Sequence, residues 1–536
     1  MSPRPRRAPV AATFLAALLA PHRAAAAPAE PPPSSRSAEA PAAPTEPERG
    51  FRFAPASRAD LARAYLRFEA ALGEHPERTD DDLRRWGIAF DRATRQFFRG
   101  DRAAGIRMLA AIERDASDRP WPAQARLAAA LTARPDPSRL AAGSTDPLRV
   151  SVRSVYPADL PQAPAPDAIA LRLRPAGTDR PVGRTEFPVR MTADGPAADD
   201  DATLEPPPTG WPAGTLLLEA GGPGRWITLA QLPSLDPPLP ELVASLRARL
   251  DAAEAARDIP PIDLHTARVR LKMLAGEPTG HISATLLDDP TRLARDTARA
   301  VDRIERGEPA YLTRSGEHWV LAGPDRTPVA VRVPDRPRPD APDRPRDLLV
   351  TLHGAGADER IWLDGYGSGA VGRAAEQHGL TLLAPRSYGF VLTPARLAPV
   401  VDAVHERLVE TGLAPADPGA DPGPPRLLLL GHSMGGIAAA GAAGALPDRV
   451  RAAVCVAGFA QIQPPPGREP ASLPPVRLYS AGLDPIVPAA SIERLARASQ
   501  RAGAPVEIHP EPAHTHTLIL PAVIPEAVDW LASLTR

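Results

Sequence analysis

The stretch Leu427-Leu-Leu-Leu-Gly-His-Ser-Met-Gly-Gly436 is the most informative in this 536-residue chain. Its leucine run carries no polar alternation, as expected of a strand covered on both faces, and the Ala- and Gly-rich residues 437–445 after it suit a helix packed tightly on a sheet. Gly431 and Gly435 stand two positions either side of Ser433. A strand that turns sharply into a helix lifts the intervening side chain clear of the sheet, and small neighbours let the backbone pass closely. The pattern predicts a serine hydroxyl presented as a nucleophile. A bare G-x-S-x-G is common by chance; one bounded by an apolar strand and a small-residue helix is much rarer.

Upstream, Leu349-Val-Thr-Leu-His-Gly-Ala-Gly356 ends a strand in a glycine turn. Attack on a carbonyl puts negative charge on oxygen, and a backbone N–H aimed at it is worth roughly 3 to 4 kcal/mol. The amides of Ala355 and Met434 are assigned to that oxyanion hole, with Gly356 the neighbouring alternative to Ala355. Downstream, Val476-Arg-Leu-Tyr-Ser-Ala-Gly-Leu-Asp-Pro-Ile-Val-Pro488 puts Asp484 just past a strand. A carboxylate there can hold an imidazole in one tautomer and stabilise the charge it acquires; an Asx turn before Pro485 is the plainer use of the same residue. The histidine must follow the acid in chain order, and the loop after residues 506–510 offers both His514 and His516.

From about residue 308 strand and helix candidates alternate. Strands are expected at 318–321, 329–333, 348–352, 380–384, 427–430, 453–456, 476–479 and 506–508, with helices among them at 370–378, 397–411 and 492–502. That order predicts an α/β fold, a doubly wound and mostly parallel sheet beginning with two antiparallel strands. The three constellations then sit at the carboxyl ends of strands, where open α/β sheets bind ligands. The L-H-G-A-G, G-H-S-M-G-G and G-L-D-P-I-V-P segments resemble the α/β-hydrolase superfamily, in particular secreted carboxylesterases of the phospholipase/carboxylesterase, dienelactone-hydrolase and polyhydroxyalkanoate-depolymerase-like groups. The resemblance covers residues 308–536 alone. In those groups the histidine falls about ten positions after the start of the last strand, which selects His516 over His514, and a closing helix follows it. The resemblance implies a Ser433, Asp484 and His516 triad that cleaves carboxylic esters through an acyl-enzyme, with no metal or organic cofactor.

The rest of the chain is read from pattern alone. Arg4, Arg6 and Arg7, the apolar residues 8–20 and the small residues 24–29 have the three-part layout of a signal peptide over 1–29, cleaved after Ala26 or Ala29. A secreted or periplasmic protein is expected. The apolar stretch is too short to cross a bilayer of roughly 30 Å, so no membrane span is expected after cleavage. Residues 30–54 read as a disordered Pro/Ala-rich linker. Over 55–140 a helical hairpin is expected from Leu61, Tyr65, Phe68 and Leu72, then Leu83, Trp86, Phe90 and Phe97, then Ile106, Leu109 and Ile112. Period-two alternation predicts a small β-rich domain over 145–235, a sandwich or partial barrel. A helical connector over 236–307 leads to the catalytic domain, 308–536. No cluster of catalytic groups stands out before residue 308.

Basic residues number 63 and acidic residues 64, for a net charge of −1, so no global field favours nucleic acid as a partner. Cys455 is the sole cysteine, which excludes an intramolecular disulfide. The segment 463–475 is too short and Pro-rich to make a cap, so an open mouth is expected, taking ester substrates that include polymer- or polysaccharide-linked acyl groups. Trp362, Tyr366 and Tyr388 follow strands and read as packing more readily than as pocket lining. Two other readings compete. A serine peptidase of the prolyl-oligopeptidase type would need the repeated four-strand units of a propeller, which the N-terminal half lacks. A non-catalytic cell-envelope binding protein on a hydrolase scaffold would not need Ser433, Asp484 and a following histidine together.

Overall fold

The computed structural model describes residues 53–74, 78–117, 119–160, 165–279, 290–335, 347–387, 392–414 and 424–535. The expected signal peptide, nearly all of the linker, and Tyr388 lie outside the described residues. The first helices are α1 (Arg58–Gly73), α2 (Asp80–Phe98), α3 (Arg102–Asp115) and the short α4 (Ala123–Ala128). Capping boxes open α1 and α2, Ser57 with Asp60 and Thr79 with Asp82, satisfying first-turn N–H groups that have no partner inside the helix. Asp101 caps α3 after Gly100, whose φ of 84° ends α2. Where a hairpin was expected there are thus three full helices.

The β-rich part contains β1 (Leu131–Asp136), β2 (Leu140–Ala141), β3 (Leu148–Ser154), β4 (Ala168–Pro175), β5 (Gly183–Pro188), β6 (Arg190–Thr192), β7 (Gly195–Ala197), β8 (Asp199–Leu204), β9 (Gly214–Gly222) and β10 (Arg225–Leu235). They form sheets β1-β3-β8 and β2-β10-β9-β4-β5 and the small β6-β7 ribbon. Strand β1 lies before residue 145, inside the stretch expected to be helical; its Leu-Thr-Ala-Arg-Pro-Asp sequence alternates, with exposed residues at Arg134 and Asp136. Phe68, Trp86, Phe90 and Leu109 from the helices share one core with Val150, Leu171 and Leu218 from both large sheets.

Helices α5 (Leu239–Ala256), α6 (Pro261–Ala275) and α7 (Pro290–Glu305) follow. They share a core with the C-terminal sheet. Two polar ties reinforce the packing: the Leu321 amide donates to Thr266 Oγ1 at 2.9 Å, and the Arg270 guanidinium donates to the Trp319 carbonyl at 3.0 Å.

The C-terminal sheet comprises β11 (Gly316–Ala322), β12 (Thr327–Val333), β13 (Leu348–Leu352), β14 (Leu382–Pro385), β15 (Leu427–His432), β16 (Val450–Val456), β17 (Val476–Ala481) and β18 (Val506–Glu511). Their order is β11-β12-β14-β13-β15-β16-β17-β18. Strand β12 runs antiparallel to both neighbours, and every pairing from β14 to β18 is parallel. The doubly wound, mostly parallel sheet expected from the sequence is therefore present. Helices α8 (Tyr366–Gln377), α9 (Pro394–Glu410), α10 (Met434–Ala445), α11 (Ala489–Arg501) and α12 (Leu520–Ser533) complete it. Every residue of β13 and β15 is buried, which explains their mostly apolar sequence without alternation. From β13 the chain moves outward to β14 and then returns to β15 on the other side. That reversal of winding opens a crevice at the carboxyl ends of β13 and β15. Residues 52–536 form one compact unit. Among the described residues no helix is long and apolar enough to cross a membrane.

Candidate active site

Ser433 sits between β15 and α10 with φ 55° and ψ −117°, a conformation that costs an L-residue about 1–3 kcal/mol and persists only where the surroundings impose it. The surroundings are backbone. A Cβ on Gly435 would lie 1.9 Å from the Leu352 carbonyl oxygen, and one on Gly431 would lie 2.1 Å from the Gly435 carbonyl oxygen. Strands β13 and β15 and helix α10 thus meet where no side chain fits. The Ser433 amide donates to the Val456 carbonyl at 2.8 Å and its carbonyl accepts from the Ile437 amide at 3.1 Å. Its hydroxyl does not cap α10.

The turn after β13 lies against this elbow: a Cβ on Gly354 would be 3.3 Å from Ser433 Cβ. His353 fixes the turn. Its Nε2 accepts from the Ser387 amide at 3.0 Å, leaving Nδ1–H to donate to the Gly354 carbonyl at 2.8 Å. Burial lowers the His353 pKa, which keeps the ring neutral, as its acceptor role requires. Ala355 follows in this turn, and Met434 is the first residue of α10, whose amide has no carbonyl four residues back within the helix.

Asp484 and His516 come together from the loops after β17 and β18. His516 Nδ1–H donates to Asp484 Oδ2 at 2.6 Å, while Asp484 Oδ1 accepts from the Ile486 and Val487 amides, each at 2.8 Å. The Asx turn and the histidine contact read as alternatives in the sequence are both present, one on each oxygen. His514 is placed elsewhere: its Nδ1 is 3.5 Å from Glu511 and its carbonyl accepts from the Leu483 amide at 3.0 Å. The His516 loop is joined to the elbow by His432. The His432 and His516 ring centroids are 4.9 Å apart, and His432 Nε2–H donates to the His516 carbonyl at 2.9 Å. The other nitrogen of His432 accepts from the Tyr366 hydroxyl at 3.1 Å. Burial first, and then the nearby His516, push the His432 pKa well down, so this bridge is a neutral ring. Tyr366 and Trp362 are buried and pack edge to face at 4.9 Å, which makes them core.

The N-terminal helices reach this site, which the sequence did not announce. Asp91 on α2 is fully buried, and its Oδ2 accepts from the His516 amide at 3.1 Å. Glu69 on α1 is buried; its carboxylate accepts from the Tyr65 hydroxyl at 2.6 Å and the Gly367 amide at 3.1 Å. Phe97 stands over the turn after β13, where a Cβ on Gly356 would lie 2.5 Å from its ring. The segment 463–475 holds only the three-residue 3-10 turn Pro470–Ser472, and at the site Ser433 is 8% and His516 4% exposed. No sequence signal singled out Asp91, one of eight charged residues on α2.

Residues 349–535 match the family model described as "Alpha/beta hydrolase family", and the C-terminal part of the chain is an α/β-hydrolase domain. Solved structures similar to it include S-formylglutathione hydrolase (FrmB) from Staphylococcus aureus, 15% identical over 41% of this chain and 100% of that one, TM-score 0.31. An esterase from Pyrobaculum calidifontis is 15% identical over 41% of this chain and 85% of its own, TM-score 0.30. Est1E from Butyrivibrio proteoclasticus is 14% identical over 41% and 99%, TM-score 0.29. No curated protein matches the chain.

Proposed function

We propose that the chain is an exported serine hydrolase that cleaves carboxylic esters through an acyl-enzyme, with Ser433 as nucleophile, His516 as base and Asp484 as its orienting acid. The observation that carries the reading is the 2.6 Å Asp484–His516 contact, in a loop tied through His432 to the strained Ser433 elbow. With Nδ1 engaged by Asp484, the imidazole has Nε2 for the serine hydroxyl. Ser433 Oγ attacks the acyl carbonyl as Nε2 takes its proton, and the tetrahedral oxyanion is received by the Ala355 and Met434 amides. The protonated ring gives its proton to the departing alcohol. Water, deprotonated by the same nitrogen, then releases the acid and restores the serine.

The substrate is an accessible ester, polymer- or polysaccharide-linked acyl groups included, because residues 463–475 between β16 and β17 are too short and Pro-rich to close a cap domain over the serine. The test uses the mature chain with p-nitrophenyl esters, an acylated polysaccharide and a fluorophosphonate label. Ser433→Ala abolishes labelling and lowers ester hydrolysis by about 10⁴-fold or more. His516→Ala falls comparably, whereas His514→Ala stays within about twofold of the parent. Loss in His514→Ala with activity retained in His516→Ala would reverse the assignment of the base. Labelling at a residue other than Ser433 would end the proposal.

A further inference from the structure

The N-terminal helices belong to no part of the hydrolase domain, yet one of them contributes a buried carboxylate to its histidine loop. At Gly87, α2 crosses that loop so closely that a Cβ would lie 2.5 Å from Thr515 Oγ1. One turn further along the same face, Asp91 Oδ2 accepts from the His516 amide at 3.1 Å. Residue 516 is therefore clamped at both of its peptide groups, its N–H by Asp91 and its carbonyl by His432. Asp91 is fully buried, and its Oδ1 has only the Thr515 hydroxyl beside it, outside good hydrogen-bond geometry, among the described residues. A buried carboxylate so incompletely satisfied is destabilising. Groups kept at such a cost cluster where function needs them.

We infer that Asp91 is a positioning residue for His516, holding the loop so that the imidazole meets Asp484, and that the active site is completed by a helix outside the hydrolase domain. The inference rests on the role proposed above for His516. The electrostatics agree with it. Burial pushes the Asp91 carboxyl up to about 6, opposed by His516 and by its N–H, with Asp484 pushing it further up and the Thr515 hydroxyl beside it pulling it down. Above that range a second negative charge stands next to the ring on which positive charge develops. A loop displaced by about 1 Å can lower turnover on the order of 10²-fold, so the clamp acts on the chemical step and leaves substrate binding intact.

The test compares Asp91→Ala, which removes the acceptor, with Asp91→Asn, which keeps an acceptor oxygen, both in the full mature chain. Using p-nitrophenyl butyrate, Asp91→Ala is expected to lose about 10- to 100-fold in kcat with KM within about twofold of the parent. Asp91→Asn recovers to within about threefold, and the thermal midpoint of both variants is unchanged or raised. A kcat within twofold of the parent in Asp91→Ala overturns the inference. So does a kcat loss that accompanies a lowered midpoint and is not recovered by asparagine, because that is the signature of a merely structural contact. A second readout needs no substrate: the low-field proton resonance of His516 Nδ1–H bonded to Asp484, identified by its absence in His516→Ala. It shifts or disappears in Asp91→Ala and returns in Asp91→Asn. An unmoved resonance in Asp91→Ala refutes the positioning role whether or not the parent hydrolyses esters. A parent inert to esters and fluorophosphonate but showing the Asp91-dependent resonance counts against the esterase reading alone.

Discussion

Single residues here perform opposed tasks, and Glu69 shows how burial sets the terms. Desolvation pushes its carboxyl up to about 7, against hydrogen bonds from Tyr65 and Gly367 and the charge of Arg78, all of which pull it down. The folded chain thus holds this proton more tightly than the unfolded chain does. Its contribution favours folding below the ordinary carboxylate range, declines as pH rises from about 4.5 to about 7, and remains a penalty above that. At roughly 1.4 kcal/mol per unit the penalty is on the order of 3 kcal/mol. Glu69→Gln, which keeps an acceptor and a donor at the site, should therefore raise the urea midpoint at pH 8 and leave it nearly unchanged at pH 4. Equal midpoints for parent and variant at both pH values would contradict this account. Ser433 makes the complementary case. Its motif was plain in the sequence, because a nucleophile elbow is a local device specified by adjacent glycines. Asp91 was not, because its partner is an amide 425 positions away.

At the scale of elements, α10 illustrates how one helix divides into parts with different tolerances. Its N-terminal turn is wedged against the carboxyl end of β13, where a Cβ on Gly435 would lie 1.9 Å from a backbone carbonyl that cannot swing aside. Gly435→Ala should destabilise the chain by about 3 kcal/mol or more, as forced overpacking of backbone does. Further along, Gly441 has no atom within 4 Å of the position its Cβ would take. Gly441→Ala should stabilise by about 0.5–1 kcal/mol through helix propensity. Chemical denaturation of the two variants measures both signs, and a destabilised Gly441→Ala would show that the helix needs its glycines for more than approach. The strands of the C-terminal sheet were legible for a related reason: β13 and β15 are buried on both faces, and their Leu-rich sequences without polar alternation report that directly. The three apolar stretches near the N-terminus each form a helix, with Gly100 and the Asp101 cap dividing the second from the third, so the expected hairpin is one helix short.

At the scale of the molecule, residues 52–536 form one compact unit, and the hydrolase domain does not stand alone within it. Buried residues of α5, α6 and α7, among them Leu246, Leu271 and Val301, share a core with Trp319 and Leu321 of β11. Asp263 on α6 accepts from the Ala310 and Tyr311 amides and pairs with the buried Arg407 of α9. A fragment of residues 308–536 would expose that core and lose α2 from the histidine loop. It should accumulate insoluble and fail to take a fluorophosphonate, whereas residues 53–536 should be soluble and labelled. A soluble, labelled 308–536 fragment would show that the N-terminal half is an accessory. By itself the sequence determined the α/β sheet, the Ser433 turn, the Asp484 turn and a loop with two histidines, between which only the family resemblance chose His516, since each is written in residues that neighbour one another or in a periodicity that burial imposes. Only the tertiary structure brings His516 onto Asp484 with His514 beside Glu511, and sets α2 against the histidine loop. Contacts between segments hundreds of residues apart leave no spacing or period in the chain; they exist only once packing has brought the segments together.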